Sequence, residues 1–512
     1  MKRRLSWFIV ALVLLSAAGV ALELYAMRTG PGVRGDSVRY VMGARNLLAG
    51  NGFSRLSGGG EIFPETGFAP MLSFALAGFG LAGIDMYAGV RVLNALLFGA
   101  SIFLAGKLIA DAGRSPWVGL LGAALILTAP NVVQWHAWLM SEALFIFLTL
   151  LALAGLVAHL RTGRWAPLFV SAVAAGMAGL TRYVGVSLIP VGVLGILLWG
   201  VGSRRDRIAG AAMFGLLAAL PFVLWMIRNS AVGGAGLANR QIRFHPFRPE
   251  AIRVFLFEPT TWVLPATIIL PRTVRGALAF VAMIAGPALF LAGAARRVPR
   301  PGPKGPEGVV LPWLLLILVP CYLGVLAVNS LFLDAATTYD GILRYLTPLF
   351  VLLVMLELTT YALAFPSGRG RWILAVVVGA WLVAGLGSNT YETLTLARDS
   401  TYDIGFTRIR DEWLDLTSEL NASPTIISDN PEMVYYLTDR PAYMIPIKYD
   451  LYQQAFRADF AQQIELARDR LEAGAVLVVF GEPSEEEAEV MGLLGVSPLR
   501  THAGAVIFGY PQ

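Results

Sequence analysis

Charge is what this chain has least of. Its 512 residues are only 14% charged and 56% hydrophobic, whereas a soluble globular domain carries about 25% charged residues. That balance excludes a soluble body and leaves a polytopic membrane protein. Cysteine is nearly absent too: Cys321 stands by itself in an apolar run. One thiol cannot form an internal disulfide, and CxxC and Cys/His metal patterns are missing, so it reads as packing. Histidine is scarce, with four in the chain. The formal net charge of +6 does not point to nucleic acid, because the basic residues sit in short loops between apolar runs, as cytoplasmic loops do.

Long apolar runs are abundant. A membrane-spanning helix needs about 20 mostly apolar residues, and about eleven runs qualify: 7–27, 87–110, 116–132, 141–160, 165–181, 183–201, 208–228, 275–295, 310–330, 344–364 and 372–390. Met1-Lys2-Arg3-Arg4 followed by an apolar run resembles a signal peptide. Glu23-Leu24-Tyr25, however, occupies the place of the small residues a cleavage site requires, so the run is expected to stay as a first span. The Gly-rich segment 68–84 is short and reads as a re-entrant or interfacial piece. Leaving it out of the count puts Lys107 and Arg114, Arg161 and Arg164, Arg204, Arg205 and Arg207, Arg296, Arg297, Arg300 and Lys304, and Arg369 and Arg371 all on the inner side. Positive-inside bias favours that arrangement. The N-terminus is then cytoplasmic, and the outer side receives loops 28–86, 229–274 and 331–343 together with everything after 390.

Beyond about residue 400 the composition turns polar and the pattern alternates between helix and strand. Helices are expected at Phe406–Leu420, Pro431–Leu437, Phe456–Ala473 and Ser484–Leu494, and strands at Thr425–Ser428, Ala475–Phe480 and Ala503–Tyr510. Proline at 431 suits a first helical turn. The predicted organisation is a membrane domain over 1–395 and an extracytoplasmic α/β domain over 396–512. This second domain shows no phosphate loop, nucleophile elbow or GxGxxG turn. The stretch 294–309 is a Pro/Gly linker.

Residues 34–53, RGDSVRYVMGARNLLAGNGF, place one carboxylate, Asp36, directly after the first span. Tyr40, Ala44, Leu47 and Leu48 follow at helical spacing and the pattern stops at Gly50-Asn51-Gly52, which predicts an amphipathic helix able to lie in the membrane interface. Asp36 suits a helix N-cap. It equally suits a general base that takes a proton from an acceptor hydroxyl or amine. The two roles are compatible. Arg39 and Tyr40 on the same helix are substrate-binding candidates.

Several arginines run against the inner bias: Arg182 (LTRYVG), Arg240, Arg243, Arg272, Arg275 and Arg344 (ILRYLTP). Guanidinium groups grip phosphate bidentately, and snorkelling to lipid headgroups is the plainer fate of any single one. Arg182 and Arg344 stand at the ends of apolar spans, each followed by a tyrosine, and ionisable groups at that depth mark function. The donor-phosphate candidates are therefore Arg344, Arg182, Arg272, Arg275 and Tyr345. Glu142, after Ser141, reads first as a helix cap and second as a substrate contact. Of Asp334 and Asp340, one is expected to orient Arg344. Glu65 (FPETGF) and His245 (RFHPF), both in outer loops, form a candidate metal pair.

The segments GDSVRYVMGARNLLAGNGF, RVLNALLFGA, MSEALFIFLTLLAL, GLTRYVG and LRYLTPLF, in this order relative to the spans, resemble the integral-membrane glycosyltransferases of the GT-C fold over roughly residues 5–390. The likeness is to the bacterial branch related to protein O-mannosyltransferases and aminoarabinose transferases. It implies a sugar carried on a polyprenyl phosphate and passed with inversion to a lipid, glycan or protein acceptor outside the bacterial cytoplasmic membrane. It also implies that Asp36 is the base, and that a divalent metal cation is held by Glu65 and His245. Gly35-Asp36 departs from the adjacent acid pair of the protein mannosyltransferases and points away from protein mannosylation. Two rival readings remain: a transporter or flippase, which predicts an internal repeat with paired broken helices, and a scaffold for a cell-wall partner.

Overall fold

A computed structural model of the protein describes residues 2–233, 242–244, 246–247, 249–263, 270–294, 310–333, 339–364, 369–399, 413–450, 455–502 and 504–510. The chain divides into two compact units. One comprises Met1–Ala26, Arg91–Arg228 and Arg243–Thr401, and the other Met27–Val90, Asn229–Ile242 and Tyr402–Gln512. The loop after the first span, grouped by sequence with the membrane domain, thus packs with the C-terminal residues.

The first unit is helical. Among the described residues, seven helices are long and apolar enough to cross a membrane: Trp7–Ala26, Met86–Gly113, Glu142–Thr162, Arg204–Gly233, Arg272–Gly293, Val310–Phe332 and Gly341–Ala364. Trp165–Thr181 and Tyr183–Trp199 are shorter apolar pieces. The expected span 116–132 is instead two helices, Pro116–Leu127 and Pro130–Ala137, bent by 58°. Proline explains the break: Pro130 has no N–H to donate, and it holds Ala129 extended at φ −78°, ψ 112°. Small residues let helices approach closely. A Cβ on Gly119 would lie 2.5 Å from the Gly106 carbonyl oxygen, so Met86–Gly113 and Pro116–Leu127 touch backbone to backbone there. The loop expected over 229–274 contains a helix of its own, Pro249–Val263.

The second unit joins two parts of the sequence. Its N-terminal part has the helix Gly35–Leu48, an antiparallel hairpin of Ser54–Leu56 with Ile62–Pro64, and the short helix Met71–Leu81. Its C-terminal part is a five-stranded mixed sheet in the order Tyr443–Met444, Ile426–Ser428, Val476–Phe480, Ala505–Gly509, Ser497–His502. The first three strands are parallel, and the last two pair antiparallel. The central strands are buried runs, as parallel strands covered on both faces should be. Ser497–His502 (SPLRTH) is an exposed edge without apolar alternation, which is why the sequence reading passed over it. The helices Pro431–Thr438, Phe460–Glu472 and Glu485–Leu494 lie close to their expected bounds.

One apolar cluster binds the two parts of this unit. Val33, Val38 and Met42 are buried with Trp413, Leu416, Ile426, Met433, Val434 and Leu437. The helix Gly35–Leu48 is consequently buried on most of its surface, including Val38, Tyr40, Val41, Met42, Gly43 and Ala44. It is not the half-exposed interfacial helix its spacing suggests. Its other flank meets Met71–Leu81, where the Ser73 hydroxyl donates to the Tyr40 carbonyl at 2.9 Å.

Candidate functional site

In the helical unit, three helix ends converge on one carboxylate. Glu142 opens the helix Glu142–Thr162 and is fully buried. Its Oε1 accepts from Nη1 of Arg182, and from Nε of Arg344 at 2.6 Å. Arg182 ends the helix Trp165–Thr181, and Arg344 lies in the second turn of Tyr339–Ala364. The turn after Arg182 is tight: a Cβ on Gly185 would sit 2.5 Å from the Ala178 carbonyl carbon, so only glycine lets the chain fold back there. Ser141, the N-cap position, makes no capping bond; its hydroxyl accepts from Arg182 Nη1 at 3.3 Å. The cap reading of Ser141-Glu142 therefore gives way to an ion-paired one. Glu142 is one carboxylate that holds Arg344; the expected contribution of Asp334 or Asp340 lies outside what the structure describes.

Burying an unpaired charge is prohibitively costly, and paired charges need further hydrogen bonds. Glu142 gives both guanidiniums a partner. The arginines keep limited exposure, 8% for Arg182 and 16% for Arg344, while Glu142 has none. Aromatic groups complete the surround. Arg182 lies over the Tyr345 ring at 5.1 Å, and Arg344 over Trp135 at 5.7 Å. Tyr322 donates its hydroxyl to the Tyr345 carbonyl at 2.7 Å, which ties two helices together beside the cluster. Sequence reasoning missed Ser141, Trp135 and Tyr322 as members. Trp135 carried a faint signal, standing in Gln134-Trp135-His136 just ahead of Glu142; Tyr322, mid-span, carried none.

In the other unit, Asp36 is half-buried in the first turn of its helix. It is not the N-cap. Arg34 takes that place in extended conformation (φ −132°, ψ 177°), and its N–H donates to the Ser37 hydroxyl at 3.0 Å. A carboxylate in the first turn remains favoured by the helix dipole. Arg39 reaches Glu432 with Nε to Oε1 at 3.0 Å and covers the Phe68 ring at 5.4 Å. Tyr40 is buried, edge-on to Phe68. At Asp429-Asn430-Pro431, Asn430 caps the following helix by accepting from the Met433 N–H at 3.1 Å. Asp429 accepts from the Phe480 N–H at 3.1 and 3.3 Å. Burial raises the Asp429 carboxyl above the usual carboxylate range, and these bonds only partly offset it.

The other candidates are dispersed. Arg272 is exposed, with its guanidinium over Phe257 at 5.9 Å, whereas Arg275 one turn on is buried. Asp340 stands in the first turn of Tyr339–Ala364, but its side chain, Arg240, Asp334 and His245 lie outside what the structure describes. Glu65 is buried, and its Oε1 accepts from the Gly67 N–H at 2.7 Å. Among the described residues, no three of His, Cys, Asp or Glu converge on a point where a metal ion fits.

Residues 65–229 match the family model for dolichyl-phosphate-mannose-protein mannosyltransferase. That stretch contains Glu65, Glu142 and Arg182 but neither Asp36 nor Arg344. No curated protein matches the sequence. Among solved structures, the chain is similar to ArnT from Cupriavidus metallidurans bound to undecaprenyl phosphate, with TM-score 0.57 at 15% identity over 98% of this chain and 99% of that one. It is also similar to the arabinofuranosyltransferase AftD from Mycobacteria, with TM-score 0.58 at 17% identity, covering all of this chain and 40% of that one. The archaeal oligosaccharyltransferase AglB from Archaeoglobus fulgidus, in complex with an inhibitory peptide and a dolichol-phosphate, gives TM-score 0.50 at 13% identity over 93% and 69% of the two chains.

Proposed function

We propose that this chain, which has the GT-C fold of membrane glycosyltransferases, moves a sugar from a polyprenyl-phosphate donor to an extracytoplasmic acceptor with inversion at the anomeric carbon. The observation that carries the reading is the Glu142–Arg182–Arg344 cluster. It gathers two guanidiniums of limited exposure around one buried carboxylate in a helical unit with long apolar spans, and guanidiniums are the groups that grip the phosphodiester of a lipid-linked donor bidentately. Arg182 and Arg344 then hold the donor phosphate, and Glu142 keeps the two guanidiniums from repelling each other. Tyr345 shapes the same place.

The chemistry needs little else. Asp36 takes the proton of the acceptor hydroxyl or amine as that atom bonds to the anomeric carbon. The anomeric C–O bond to phosphate breaks with its electron pair on the phosphate oxygen, and the arginines stabilise the charge that develops there. The membrane in this reading is the bacterial cytoplasmic one, and the basic short loops support an orientation with the N-terminus inside and the C-terminal α/β domain outside.

Mass spectrometry of the cell envelope tests this directly. A strain without the gene should lack a glycosylated species present in the parent, plasmid-borne wild type should restore it, and Asp36→Asn should not. An envelope unchanged by loss of the gene would remove the proposal. A transporter would instead change the distribution of a lipid-linked sugar without loss of any transfer activity in purified form.

A further inference from the structure

The helix that carries Asp36 is gripped at two points by a single helix of the C-terminal domain. Arg39 pairs with Glu432 at 3.0 Å, and Arg45 with Asp439 at 2.5 Å. Glu432 lies in the first turn of Pro431–Thr438, and Asp439 is its C-cap, in the left-handed region at φ 55°. The spacing is matched: six residues separate the arginines and seven the acids, so at about 1.5 Å per residue the helices run side by side in the same direction for about 10 Å. Between the two ion pairs, Val38 and Met42 pack in one cluster with Met433, Val434 and Leu437. Arg45 also covers the Tyr435 ring at 5.6 Å. At the helix start, a Cβ on Gly35, the residue before Asp36, would lie 3.8 Å from the Glu432 Cγ, in ordinary contact.

Ion pairs this exposed contribute little to stability, about 0 to 1 kcal/mol each. The apolar contacts alone would hold the helices together, but they would leave slide and rotation loosely defined. Two charged pairs at opposite ends define both. A carboxylate acting as base needs that definition, since a displacement of about 1 Å at a reacting group costs on the order of 100-fold in rate.

We propose that the C-terminal α/β domain is a positioning device for Asp36, working through Glu432–Arg39 and Asp439–Arg45, and that Glu432 and Asp439 are positioning residues for transfer. This rests on the reading of Asp36 as the base. Alignment of the Gly35–Leu48 helix then depends on residues some 390 positions downstream, and the domain needs no acceptor site of its own for its loss to abolish transfer.

The test uses full-length protein in lipid nanodiscs, with hydrogen exchange of Gly35–Leu48 as one readout. The other readout is the envelope species that the gene-deleted strain lacks. Glu432→Gln is expected to speed exchange of the helix amides about two- to fivefold and to lower the product about tenfold, while the strand Val476–Phe480 keeps its protection. The reversed pair Arg39→Glu with Glu432→Arg should restore wild-type exchange. Asp36→Asn should lose product with wild-type exchange. Wild-type exchange and product in Glu432→Gln, or a reversed pair that does not restore exchange, overturns the proposal. Normal product from Asp36→Asn overturns the base reading and not the clamp, because exchange reads the clamp by itself.

Discussion

Arg344 donates through Nε to Glu142 Oε1 at 2.6 Å, across 202 positions of sequence. In the proposed reaction the same guanidinium also binds the donor phosphate. Arg344→Ala should therefore weaken binding of undecaprenyl phosphate to the purified protein about 10- to 100-fold, the worth of a charge-assisted hydrogen bond. Arg344→Lys should recover only part of the loss, because an ammonium cannot present two parallel N–H groups. Unchanged affinity in the alanine variant would assign the arginine to lipid headgroups.

Glu142→Gln keeps the shape of the side chain and removes the charge that separates two buried guanidiniums. Breaking a buried pair in this way costs about 3 to 5 kcal/mol. The melting temperature in detergent should fall, and undecaprenyl phosphate should raise it more for the variant than for wild type, since the anion replaces the lost carboxylate. Equal melting of the two proteins would mean that the cluster does not depend on Glu142.

Asp36→Asn should reduce transfer by about 10²- to 10⁴-fold, the usual contribution of a general base. Melting should barely move, because Asp36 sits in a helical first turn that asparagine also tolerates. Envelope mass spectrometry of the complemented deletion strain and a melting curve together separate loss of chemistry from loss of fold.

Asp429 predicts a pH dependence of the C-terminal sheet. Burial raises its carboxyl pKa in the folded state, so its contribution to stability is fully present below the unfolded value and is lost as pH rises through the folded one. Asp429→Asn carries no charge to bury and can still accept from the Phe480 N–H. The variant should match wild type in acid and gain on it as the pH climbs past the ordinary carboxylate range of about 4. Exchange of Val476–Phe480 in both proteins across that range is the measurement. A constant difference would mean that the carboxyl is not shifted.

Much of the C-terminal sheet was legible beforehand because its central strands are short apolar runs with turn residues at their ends; Ala475–Phe480 and Asp429-Asn430-Pro431 are examples. The small hairpin Ser54–Leu56 with Ile62–Pro64 was not, since three-residue strands give no periodicity to detect. The break at Pro130 sat inside a run apolar enough to pass for one span, and only the proline hinted at it. Asp36 could be singled out from position alone. Glu142 could not: one acid at the start of an apolar run looks the same whether it caps a helix or neutralises two arginines.

The sequence by itself determined what is local and solvent-driven: a membrane protein of long apolar helices, a polar α/β tail, and a carboxylate in the first turn after the first span. Each follows from hydrophobicity, periodicity or turn chemistry within a window of a few to about 20 residues. Tertiary structure decided the pairings. Glu142 meets Arg182 and Arg344, and Arg39 meets Glu432 across 393 positions, because burial forces distant charges to find one another wherever packing removes water. No local pattern records that choice.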